Sequence, residues 1–241
     1  MIRDHEFNTL WWGSPVGFVH DPAFFSLDSS VQQDLLKPYV WAEFYSPLDQ
    51  TPPLQELADA NFFQTDTQIQ FLLNLSKVTA TFSTDRLVCF FADQNKFDIK
   101  TADLASFTHE RFRHIPGCTE PRSNNRYALW GNNLIREYPE TCMQLFLNKK
   151  LQGWFLSRPG EKSGLNLALS MLSSTAEVSG MLLYQQAILA YAERGHRLGT
   201  ASFSVTNTSV HNIYAALGAR FLPPGGNWMW IADAPGNATH D

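Results

Sequence analysis

The run Gly199-Thr-Ala-Ser-Phe-Ser-Val-Thr-Asn207-Thr-Ser-Val-His-Asn-Ile-Tyr214-Ala-Ala-Leu217-Gly218-Ala-Arg-Phe221 constrains the fold of this chain more than any other. It reads as a strand, a helix capped by Asn207, a glycine stop at Gly218 and a second strand. Asn207 and Tyr214 are about two helical turns apart, so they share one helix face. A polar anchor and a phenol aligned in this way suit a long ligand better than a core.

The 241 residues accommodate one large or two modest domains. With 44% hydrophobic and 13% aromatic residues there is ample material for a core, and 17% charged residues is low for disorder. A net charge of −5 without a Lys/Arg block argues against a nucleic-acid partner. The start, Met-Ile-Arg-Asp-His-Glu, lacks the apolar core of a signal peptide, and no run approaches the length of a membrane span. Cys89, Cys118 and Cys142 are widely spaced, with neither CxxC nor Cys/His ligand spacing, which argues against a metal site or a disulfide framework. A cytoplasmic protein without a membrane association is expected.

The first 80 or so residues alternate short strand and helix signals. Phe7 to His20 is strand-like but broken at Gly13-Ser-Pro15, Ser29 to Lys37 is a short helix, and Tyr39 to Tyr45 is a strand. Pro52-Pro53 opens another helix, and Phe62 to Leu75 alternates as a strand. A strand at 86–91 follows, then helices over about 102–114 and 124–137. A hairpin comes next, turning at Asn148-Lys-Lys150, then a strand over 164–172 and a helix from Gly180 to Arg194 stopped by Gly195. The division expected is 1–83 as a smaller α/β unit and 84–241 as the main domain.

Three places could carry chemistry, and each also has a plain structural role. The loop Ser173-Ser-Thr-Ala-Glu-Val-Ser-Gly180 follows a strand and opens a helix, a geometry that presents N–H groups to a phosphate, although most such turns merely connect elements. Tyr214 is either a core aromatic or a phenol acting as an acid, and Asn207 is an N-cap that could also meet a ligand. The cluster His109, Glu110, Arg111, Arg113 and His114 is either a solvated face or the lining of an acceptor site for an anionic substrate. The sequons at Asn207 and Asn237 have no meaning without secretion.

Residues 86–232 resemble the GCN5-related N-acetyltransferase superfamily. The likeness rests on the hairpin before the 165–172 strand, the strand–turn–helix at 173–194, and the ending Asn207…Tyr214-Ala-Ala-Leu-Gly. More narrowly the chain resembles the dTDP-fucosamine acetyltransferases, through Pro53 to Asp66, through Arg111-Phe112-Arg113 with Tyr127 and Trp130, and through Gly225-Gly-Asn-Trp-Met-Trp-Ile. The resemblance implies an α/β fold, a mixed and mostly antiparallel sheet flanked by helices, with a smaller N-terminal unit of similar fold that has no cofactor site.

It also implies acetyl transfer from acetyl-CoA to a primary amine, on the narrower likeness that of a nucleotide-linked amino sugar, and it leaves a homodimer open. The strand edge at Met171 and Leu172 would pair with the pantetheine amides, and Ser173 would also contact the cofactor. Val178, Ser179, Gly180 and Met181 would hold the pyrophosphate, Asn207 would contact the pantetheine arm, and Tyr214 would protonate the leaving thiolate. Arg111, Arg113 and His114 would bind the acceptor; Glu110, His114 and Glu137 are candidate bases by location only, and water could serve instead. The family's pyrophosphate pattern falls on Thr175-Ala-Glu-Val178-Ser-Gly180, where only the last glycine remains. Val178 restricts positive φ, and Glu177 adds negative charge. Either cofactor affinity is reduced, or Ser173, Ser174 and Ser179 reshape the turn. Two alternatives therefore stay open: an acetyltransferase for another small amine, and a non-catalytic CoA-binding or scaffold protein.

Overall fold

The computed structural model describes residues 1–80 and 87–232. The expected strand start at Arg86, the expected 83/84 division and the Asn237 sequon lie outside them. In chain order the strands are β1 (Ile2–Asp4), β2 (Val16–Val19), β3 (Trp41–Pro47), β4 (Phe63–Asn74), β5 (Leu87–Phe91), β6 (Cys142–Leu147), β7 (Lys150–Pro159), β8 (Leu165–Leu172), β9 (Leu198–Ser204), β10 (Arg220–Phe221) and β11 (Gly225–Ile231). The helices are α1 (Glu6–Trp12), α2 (Ser29–Leu36), α3 (Leu54–Asp59), α4 (Glu120–Glu137), α5 (Gly180–Glu193) and α6 (Thr208–Ala216). The chain forms two compact units. One takes residues up to Ile69, the insert Arg111–Cys118 and the final strand; the other takes Gln70–Glu110 and Thr119–Leu222.

In the first unit the strand order is β1-β2-β3-β11-β4, parallel between β2 and β3 and antiparallel elsewhere. The expected strand from Phe7 becomes helix α1. The His5 side chain accepts the Asn8 N–H, and Gly13 closes the helix at φ 80, leaving only Val16–Val19 for the sheet. Trp228 and Trp230 of β11 pack with Phe24, Phe25, Phe44 and Phe62. Full burial of such side chains contributes about 1.5–3 kcal/mol each.

In the second unit β9, β8, β7, β6 and β5 follow one another, antiparallel except for β8 beside β9, and β10 pairs with the end of β4. Asn148 and Lys149 take φ 51 and 67 in the β6–β7 turn, the left-handed geometry that joins two strands tightly. The core under α4 gathers Leu134, Cys142, Trp154, Leu156 and Met171. Tyr191 is fully buried and donates its hydroxyl to the Thr141 carbonyl at 2.7 Å, so its polar end is satisfied.

The helix expected over 102–114 does not form. Short 3₁₀ turns occupy Thr101–Asp103 and Arg111–His114, with an irregular stretch between them. Leu104 bridges to Ser173, and the Ala105 N–H goes to the Leu172 carbonyl at 3.1 Å, so β8 takes backbone groups that a helix would need. Among the described residues no helix is long and apolar enough to cross a membrane.

Arg194, at the end of α5, grips Asp93 through two bonds of 2.9 and 3.1 Å, donates to the Glu140 carbonyl at 2.8 Å and lies 3.5 Å over the Phe91 ring. The bond from Arg194 holds the Asp93 carboxyl below its usual range. A carboxyl lowered on folding adds stability above its unfolded pKa, about 3.9, and that stability is lost as pH falls through the lower folded value. The pair is partly solvated, so Asp93→Asn should cost only about 0.5–1 kcal/mol at pH 7. Urea titrations should show the difference from wild type shrinking below about pH 4.

Candidate functional site

Strands β8 and β9 pair only at Leu165↔Gly199 and Asn166↔Thr200 and are unpaired beyond. Past that point the second unit holds a cavity of about 400 Å³. The segment from Ala105 to His109 forms one wall, and Ser170, Met171 and Leu172 of β8 form another. Gly180, Leu183 and Tyr184 of α5 and Asn207, Ser209, Val210 and Ile213 complete it.

Both flanking helices begin with a side-chain cap. Ser179 Oγ accepts the Leu182 N–H at 3.4 Å, and Asn207 Oδ1 accepts the Val210 N–H at 3.1 Å. A Cβ on Gly180 would lie 3.3 Å from Ile213 Cδ1, so the glycine lets α5 and α6 approach closely. Asn207 is thus both a helix cap and a cavity wall.

Two phenols stand near the cavity in different surroundings. Tyr184, one turn after Gly180, lines it, and its hydroxyl is hydrogen-bonded to Ser170 Oγ, which lines it too. Burial raises the Tyr184 pKa, and the Ser170 bond opposes the rise. Tyr214 is only 3% exposed and is not among the lining residues. Its ring lies 3.9 Å from Phe71, nearly parallel to Phe203, and edge-on to Tyr184 at 5.3 Å. Burial pushes its pKa well above 10. His109 lines the cavity, with Nδ1 3.1 Å from Thr206 Oγ1.

The other expected residues are not among those lining the cavity. Arg111, Arg113 and His114 form a 3₁₀ turn in the first unit. Arg111 Nε donates to Glu43 Oε1 at 2.9 Å, and its guanidinium covers Phe112 at 4.4 Å. The nearly buried Glu43 also receives Asn8 Nδ2 at 2.9 Å. In the second unit Glu110 is buried and accepts the Ser123 hydroxyl at 3.2 Å. Ser173, Val178, Ser179 and Met181 belong to the loop and helix start next to the cavity but do not line it.

That loop is tied inward. Gln152 of β7 is fully buried, and its Oε1 accepts the N–H groups of Glu177 at 2.7 Å and Val178 at 3.1 Å. The Glu177 carboxylate pairs with Lys150 Nζ at 2.6 Å. Ser173 Oγ accepts the Thr175 N–H at 3.3 Å, and the Ser174 N–H goes to the Asp103 carbonyl at 2.8 Å.

No family model and no curated protein matches the sequence. Solved structures match the fold. A GCN5-related N-acetyltransferase from Sphaerobacter thermophilus superposes with a TM-score of 0.55 at 14% identity, over 90% of this chain and 73% of its own. A tandem GNAT protein from the clavulanic acid biosynthesis pathway gives 0.53 at 13%, over 92% and 77%. A GCN5-related N-acetyltransferase from Kribbella flavida gives 0.50 at 9%, over 93% and 83%. The fold is that of the GCN5-related N-acetyltransferases.

Within a GNAT fold, acetyl-CoA is the ligand to test against these residues. Its thiol arm is compatible with the cavity, where Met171, Leu172, Leu183, Val210 and Ile213 supply apolar wall and Ser170, Tyr184, Asn207 and Ser209 supply polar groups. The edge expected to pair with the arm is partly taken, because the Leu172 carbonyl already accepts the Ala105 N–H. Of the residues expected to hold the diphosphate, Val178 has its amide spent on Gln152, as does the preceding Glu177.

Sequence reading passed over Ser170, Tyr184 and Gln152. Tyr184 had a usable signal, its position one turn from Gly180 on the same helix face. Gln152 had none, because its partners lie on a distant loop.

Gly153 is opposite Leu172 in the β7–β8 register. A Cβ there would lie 2.2 Å from the Met171 carbonyl oxygen and 2.7 Å from Leu183 Cδ1, so β7, β8 and α5 can meet only around a glycine. Gly153→Ala should cost about 1–3 kcal/mol through overpacking. Thermal denaturation should show a Tm several degrees lower, about 2–4 °C per kcal/mol for a chain of this size.

Proposed function

We propose that the second unit is an acyltransferase, moving an acyl group from a thioester to a primary amine. The observation that carries this reading is the cavity where β8 and β9 part, walled by the Asn207-capped helix and by the hydrogen-bonded Tyr184 and Ser170 hydroxyls. The amine nitrogen attacks the thioester carbonyl carbon, a C–N bond forms and the C–S bond breaks. A phenol gives its proton to the thiolate sulfur, while the surplus amine proton passes to solvent and the phenolate is reprotonated. The site's main contribution is to hold the two reactants together.

The sequence motif assigns the phenol role to Tyr214, whereas the cavity wall favours Tyr184. Burial keeps either one protonated across neutral pH, the state an acid requires. On the narrower sequence likeness the acyl group is acetyl, and the acceptor is an amino sugar on a nucleotide diphosphate. A second reading, a non-catalytic ligand-binding protein, is favoured by the inward ties of the 173–179 loop. It requires binding without turnover.

Thiol release from acetyl thioesters, measured over a panel of amines that includes dTDP- and UDP-amino sugars, tests the reaction. Tyr184→Phe should lower kcat about 10²-fold with little change in KM for the thioester. The same loss in Tyr214→Phe alone would return the role to the motif tyrosine. Thioester binding without thiol release for any amine would leave the binding-protein reading.

A further inference from the structure

A strand–loop–helix junction holds a diphosphate by aiming backbone N–H groups at it. Here the chain answers two of those groups itself. The N–H groups of Glu177 and Val178 converge on Gln152 Oε1, a single carbonyl oxygen with two lone pairs to fill. Gln152 is held at its other end as well, because its Nε2 donates to the Lys150 carbonyl at 3.0 Å. The glutamine oxygen takes two N–H groups that would otherwise be free for an anion.

Charge acts in the same direction. Glu177 places a carboxylate on the loop, and the nearby cation, Lys150, is already paired with it. Asp103 to Ala105 run along the end of β8, with the Ala105 N–H on the Leu172 carbonyl and the Ser174 N–H on the Asp103 carbonyl. The cavity is different in kind. It is open and mainly apolar, with the Ser170–Tyr184 pair on its wall and Asn207 at its edge. It has groups for an amide-bearing alkyl chain and none dedicated to a nucleotide.

We propose that this site recognises its thioester donor through the pantetheine arm alone, with Gln152 closing the loop to a nucleotide diphosphate. The inference rests on the thioester reading above and narrows its donor to a pantetheine thioester whose ADP portion, where present, contributes nothing to binding.

Calorimetry on the full chain with pantetheine, CoA and 3′,5′-ADP tests it without knowledge of the acceptor. Pantetheine and CoA should bind within about threefold of each other, with no competition from 3′,5′-ADP. Glu177→Gln removes the loop carboxylate but leaves Gln152 in place, so it should tighten CoA by less than about threefold and leave pantetheine unchanged. Gln152→Ala should tighten CoA about tenfold and leave pantetheine unchanged. CoA binding about 100-fold tighter than pantetheine in the wild type, or competition from 3′,5′-ADP, would overturn the proposal while leaving the acyltransferase reading intact. No gain for CoA in a Gln152→Ala protein that keeps the wild-type Tm would remove Gln152 from the role. Absence of binding by pantetheine and CoA alike would overturn the proposal together with the thioester reading.

Discussion

Pairing between β8 and β9 ends after Asn166↔Thr200, and the second unit's site depends on that early end. A continued parallel ladder would bring the two strands to about 4.8 Å and leave no room between them. Because the ladder stops, the far end of β8 has backbone edge to spare, and the α5 and α6 termini flank a cavity instead of a seam. The residues that make the site, Ser170, Gly180, Tyr184 and Asn207, are therefore consequences of a pairing that does not continue. Gly153 and Gly180 allow the surrounding elements to close to van der Waals contact, one between β7 and β8 and the other between α5 and α6.

Each unit buries polar groups, and their partners explain much of the local geometry. Leaving such a group unpaired costs about 1–3 kcal/mol, which is large against the stability of a typical domain. In the first unit, Glu43 is held by Arg111 and Asn8. In the second, Gln152 is held by the loop that it shapes. The same bonds that satisfy Gln152 occupy two loop amides. Packing and recognition are thus in direct competition at one side chain.

The two tyrosines show how environment separates residues of the same type. Tyr214 packs against Phe71 and Phe203 inside the core, whereas Tyr184 reaches the cavity and a hydroxyl partner. Their rings touch edge to face, so a substitution at either one alters the packing of the other. Activity measurements on the two variants therefore need stability measurements beside them.

The sequence by itself determined the elements whose signals are local. The β6–β7 turn sits at Asn148 and Lys149, Asn207 caps α6, and Gly195 and Gly218 stop their helices with φ of 87 and 81. Apart from the helix expected over 102–114, the order of strands and helices in the second half is legible for the same reason: periodicity and caps act within a turn or two. The tertiary structure decided whatever depended on distant partners. Residues 102–114 lost an expected helix because β8 takes the Ala105 amide, and residues from Phe7 became a helix through the His5 cap and Gly13. Ser170 met Tyr184, and Gln152 met Glu177 and Val178, across separations that no local pattern records. A helix cap is chosen by its neighbours in sequence, whereas a buried hydrogen-bond partner is chosen by what the fold leaves within about 3 Å.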